Sequence, residues 1–120
     1  MRSKSSIKDL KDLRLNTRLR TALEAARDQL TTRFEVDRIV LFGSVAWGKP
    51  DEESDVDILV VLKDRPDHQT EDQISQVIFE INLEYDSNLS ELIVDRQTWD
   101  YGLVPAMPIH EEIEKRGICL

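Results

Sequence analysis

At 120 residues the chain is long enough for one domain around one core. With 40% hydrophobic and 33% charged residues, it reads as a small domain with much of its surface in water. No run nears the roughly 20 apolar residues of a membrane-spanning helix, and one cysteine with two histidines leaves no material for an internal disulfide or a Cys/His zinc site. The net charge of −8 repels a phosphate backbone and disfavours general nucleic-acid binding.

That charge is unevenly spread. Residues 1–38 hold ten Lys/Arg against six Asp/Glu, and residues 39–120 hold six against eighteen. The basic first third fits a solvated helix face better than a nucleic-acid contact. Residues 1–16 are of mixed charge, with Ile7, Leu10, Leu13 and Leu15 only loosely periodic, so a partly ordered arm is expected. The N-terminus lacks the apolar segment of a secretory signal, which makes a cytoplasmic address the expectation. The domain proper is expected over 17–120.

Asn16 or Thr17 is placed to cap a helix over 17–33, whose Leu19, Leu23, Ala26 and Leu30 lie along one stripe. A strand follows over 36–42 and stops at Gly43-Ser44. A charged loop then leads to Asp55 and Asp57, which open a second apolar strand running through Ile58 to Leu62. Asp51, Glu53 and Asp55 do not make an EF-hand, because the sixth and twelfth positions hold Val56 and Leu62 instead of glycine and glutamate. Past the breaker Pro66, Thr70 would cap a helix over 71–84 with Ile74, Val77, Ile78 and Ile81 on one face. Residues 85–88 form a turn and 89–95 a third strand. Residues 97–101 fit a short helical turn ending at Gly102, and 109–116 a last helix closed by Gly117. Ile118 to Leu120 would add an edge strand, with Cys119 as a small hydrophobe. The expected class is α/β (α+β): a mixed sheet of three to four strands with helices mainly on one face.

Within this frame the chemistry concentrates at one place. Alternate strand residues face one way, so Asp55 and Asp57 project to one side about 6–7 Å apart along the chain. A tight glycine turn beside two such carboxylates makes a site for a divalent cation carrying phosphates. Glycine alone would signify an ordinary turn; its pairing with Ser54-Asp55-Val56-Asp57 gives it weight.

The ordered set Gly43, Ser44, Gly48, Ser54, Asp55 and Asp57 resembles the signature of the DNA polymerase β-like nucleotidyltransferase superfamily. It is most similar to its minimal MNT-type branch, whose members act as antitoxins to HEPN-domain toxins. The resemblance covers roughly residues 17–120 and implies a palm-like core. It also implies Mg²⁺ (or Mn²⁺) held by Asp55 and Asp57, ATP as the nucleotide, and Gly43, Ser44 and Lys49 at the phosphates. It further asks for a third carboxylate on a neighbouring strand. Glu91 is the first candidate for that catalytic base, and Asp86 the second. Ser90 competes with Glu91, since period 2 lets only one of them face the site. Relatives often carry arginine after the Gly-Ser; here Val45-Ala-Trp47 stands there. Lys49 is a weaker clamp than a bidentate arginine, and Trp47 is free to stack on a base or to dock a partner.

By this resemblance the activity would be transfer of AMP from ATP to a hydroxyl, a tyrosine of a HEPN-type partner. Since 120 residues leave no room for a second substrate-binding domain, another chain or a second copy would complete the acceptor site. Two other functions compete with this one. One is an interaction module that neutralises its partner by binding, with a weak or lost transferase site. The other is small-molecule modification, disfavoured because it needs more chain for the acceptor.

Overall fold

The computed structural model describes residues 8–9, 17–43, 55–102 and 104–120. In chain order the elements are β1 (Lys8–Asp9), α1 (Thr17–Arg33), β2 (Val36–Phe42), β3 (Val56–Leu62), α2 (His68–Tyr85) and β4 (Leu89–Asp95). Then come α3 (Arg96–Tyr101), a 3-10 turn (Val104–Ala106), α4 (Pro108–Arg116) and β5 (Ile118–Cys119). The strands form one mixed sheet in the order β1-β5-β2-β3-β4. Three strands are full length and two contribute only two residues each. One of the short ones, β1, falls in the stretch expected to be an arm; the rest of residues 1–16 lies outside the described residues.

The centre of the sheet is β3, which pairs antiparallel with β2 and parallel with β4. The parallel pair is joined by α2, so β3-α2-β4 is a βαβ crossover. This explains why Ile58 to Leu62 is a continuous apolar run: every one of the five is buried, because both faces of β3 are covered. Each such side chain contributes roughly 1.5–3 kcal/mol on burial.

The two faces are filled differently. Ile39, Leu41, Ile58, Val60 and Leu62 pack under α1 and α2, meeting Leu23, Ala26, Leu30, Ile74, Val77, Ile78 and Ile81. These are the helical stripes read from the sequence. Val40, Phe42, Leu59 and Val61 pack under Trp99 and Ile113 of α3 and α4. The expectation of helices mainly on one face holds for the long pair only, since the short pair covers the second face. Its anchor, Trp99, is 1% exposed and donates its indole N–H to Glu114 at 2.8 Å.

Helix α2 begins three residues ahead of the expected start. Asp67, and not Thr70, is its cap: the Asp67 carboxylate accepts the Thr70 backbone N–H at 2.8 Å. The same device repeats at α3, where Asp95 accepts from the Thr98 N–H and hydroxyl. At the far end of α2 the Asn82 side chain does more than its sequence position suggests. Its amide N–H donates to the Leu89 carbonyl at 3.0 Å, while its oxygen accepts from the Leu89 N–H and the Ser87 hydroxyl. This clamp ties the helix to the first residue of β4 and thereby helps hold the strand's register. Cys119 is half-buried in β5, opposite Val40. Among the described residues no helix is long and apolar enough to cross a membrane.

Candidate active site

Antiparallel pairing places Phe42, the last residue of β2, opposite Asp57. The chain therefore leaves β2 at Gly43 directly beside the start of β3. Gly43 is buried and has φ +83°, in the left-handed region where side chains are disfavoured. A Cβ there would also collide with the Asp57 carboxylate, specifically its Oδ2. Glycine is thus needed twice over, for the bend and for the room it leaves at the carboxylate. Gly43→Ala is expected to shift Asp57 and to cost about 1–2 kcal/mol of stability. Urea unfolding checks the stability, and the binding of Mg²⁺ checks the site.

Asp57 is half-buried and Asp55, just before β3, is exposed. Burial raises the pKa of the Asp57 carboxyl above its ordinary value, and the neighbouring Asp55 carboxylate raises it further. The structure brings these two together, as the alternation along a strand requires. A half-buried carboxylate facing a second one is a place where a cation relieves both desolvation and repulsion. On that ground the pair fits a divalent metal.

Glu91 does not join them. Parallel pairing sets Ser90 opposite Asp57 and Glu91 opposite Ile58. Paired residues share a face, so Ser90 lies on the Asp57 side. Glu91 lies on the α1/α2 side, where it lines a groove with Asp72, Gln76 and Phe79 of α2. The assignment of Glu91 as catalytic base is corrected accordingly: the side-chain period of two puts it on the wrong face. Asp86 does not replace it. It adopts the left-handed conformation, φ 52°, at the end of α2, and its exposed carboxylate meets Arg18 of α1 at 3.3 Å. Among the described residues no group of three or more His, Cys, Asp and Glu side chains could hold a metal. Ser44, Trp47, Gly48, Lys49 and Ser54 lie outside the described residues.

The nucleotidyltransferase domain model matches residues 23–117, spanning the bend, both aspartates and all three full-length strands. The chain belongs to the nucleotidyltransferase domain family. Nucleotidyl transfer is the activity class at the level of that family. A segment of 59 residues, 49% of this nucleotidyltransferase-family chain, is 41% identical to a Methanocaldococcus jannaschii protein described as "Putative protein adenylyltransferase". The match spans only 60% of that relative's length. A crystal structure from Sulfolobus solfataricus, described as "a putative nucleotidyltransferase", aligns with a TM-score of 0.49 and 15% identity, covering 88% of this chain and 87% of that one.

The Asn82 clamp and the covering role of Trp99 were missed in the sequence. An asparagine in a helix's last turn, followed by Asp-Ser-Asn, carries the signal for the first, because short amides there bond to nearby backbone.

Proposed function

We propose that the protein transfers AMP from ATP to a hydroxyl, in an Mg²⁺-dependent reaction. The observation that supports this most is the contact of Gly43 with the Asp57 carboxylate, beside Asp55. Asp55 and Asp57 would hold the metal, which when bound neutralises the triphosphate charge. Gly43 keeps the Asp57 carboxylate accessible by leaving out a side chain. Ser44 hydrogen-bonds a β- or γ-phosphate oxygen, and Lys49 adds the nearby cation. The acceptor is a tyrosine on a HEPN-domain partner, and modification neutralises that partner as a toxin. The relative described as an adenylyltransferase supports transfer to protein. Action in the cytoplasm belongs to the same reading.

The position of Ser90 favours a second reading. A serine opposite Asp57 cannot take a proton as a carboxylate does, so among the described residues the site has two carboxylates where the family resemblance asks for three. A domain of this kind would act by occupying its partner, with little or no transfer.

One experiment separates the two. The protein is incubated with labelled ATP, Mg²⁺ and its HEPN-type partner. Under the first reading the partner becomes labelled, and Asp55→Asn/Asp57→Asn lowers the rate by on the order of a hundredfold or more. A stable complex that never acquires label would establish the second reading.

A further inference from the structure

We propose that the outer edge of β4 and the adjoining groove on α2 receive an extended segment of a partner protein, one that alternates apolar and basic residues. The reading goes beyond nucleotidyl transfer and does not depend on it.

Three observations converge on this edge. First, β4 is the last strand in the sheet order, and among the described residues nothing pairs with its outer side. A seven-residue strand thus presents a row of backbone donors and acceptors suited to an added strand. Second, α2 leaves two large apolar side chains in water. Phe79 and Leu83, one turn apart, are 56% and 69% exposed. Phe79 also lines the groove of about 550 Å³ that runs to Glu91. Third, the charge is of one sign. No lysine or arginine occurs between Arg65 and Arg96, whereas eight Asp/Glu do, and Asp72 and Glu91 border the groove itself.

Charge selects the occupant. A second copy paired through this edge would form a two-fold interface, setting the same acidic face against itself. Like charges brought together at an interface are strongly unfavourable. A basic segment meets no such cost. On an added strand, alternate side chains face the same way. The basic set, turned toward α2, would lay its aliphatic stems on Phe79 and its charged ends beside Glu91 and Asp72. The apolar set faces the opposite side, where Leu92 of β4 is 44% exposed. Backbone pairing would then give affinity and the groove specificity.

The test uses the whole protein and two synthetic peptides of equal length, one alternating lysine with valine and the other glutamate with valine. Binding is followed through amide resonances. The lysine peptide is expected to bind, to move resonances of β4 and α2, and to weaken at high salt. Phe79→Ser/Leu83→Ser and Asp72→Lys/Glu91→Lys should each weaken it at least about tenfold. Circular dichroism checks that both variants remain folded. Equal binding of the glutamate peptide, binding that both variants leave unchanged, or no binding of the lysine peptide would overturn the proposal. So would a dimer in sedimentation that Phe79→Ser/Leu83→Ser dissolves, which would assign the edge to a second copy.

Discussion

Asp57→Asn is expected to make the metal-free protein more stable at neutral pH while removing its response to Mg²⁺. Burial, and then Asp55, raise the Asp57 pKa in the folded state. The folded chain therefore holds that proton more tightly than the unfolded chain does, and ionising Asp57 weakens the fold. Below the ordinary aspartate pKa, both states carry the proton and the penalty is absent. It grows as pH rises through the interval between the unfolded and folded pKa values, and above that interval it is complete. Asparagine keeps the shape and never acquires the charge, so its advantage should appear across the same interval and stay level at neutral pH. Because the carboxylate is only half-buried, solvent screening keeps the gain modest. Mg²⁺ reverses the order of the two proteins. Binding to the native state alone stabilises it by RT ln(1 + [L]/Kd), about 2.7 kcal/mol at a hundredfold excess over Kd. The unmodified protein should gain this stabilisation and the variant should lose it. Thermal melts at several pH values, with and without Mg²⁺, read both effects. A variant less stable than the parent at neutral pH without metal would contradict the account.

This opposition between local stability and cation binding is what the sequence shows most directly at the site. Two aspartates at positions i and i+2, ahead of an unbroken apolar run, signal a strand start and a pair of neighbouring carboxylates, and the structure has β3 beginning between them with Asp55 acting on Asp57. The boundaries of α1, β2 and β4 were legible for a related reason, since each is a periodic run bounded by turn or cap residues. What the sequence could not settle was register. Ser90 and Glu91 sit next to each other, and local pattern leaves both open. The choice is made by the pairing of Val56 with Leu89, which depends on α2 having the length and end geometry that the Asn82 clamp fixes. That is tertiary information. The second helical layer was hidden in the same way. Arg96–Tyr101 looks like a polar turn, and its single buried side chain, Trp99, gains meaning only once β3 supplies a second apolar face.

Trp99→Ala should accordingly be the most damaging single change in the chain. Trp99 is enclosed on the Asp57 side of the sheet among Val40, Leu59, Val61 and Ile113. Its ring lies 4.5 Å from that of His110, and its N–H bonds to Glu114. It is therefore the side chain through which α4 is fastened to α3 and to the strand bearing the aspartates. Truncating a buried tryptophan costs about 3–5 kcal/mol, a large share of the roughly 5–15 kcal/mol that holds a typical domain folded. For a chain of this size, that corresponds to a fall in Tm on the order of 10–25 °C. Trp99→Phe separates the contributions, since it keeps most of the apolar ring and loses only the indole N–H. Glu114 can then turn to water, so Phe should lose about 1–2 kcal/mol. Urea unfolding of the two variants measures both. If Phe proved as damaging as Ala, the hydrogen bond to Glu114, and not the packing of the ring, would be what secures the second helical layer over β3.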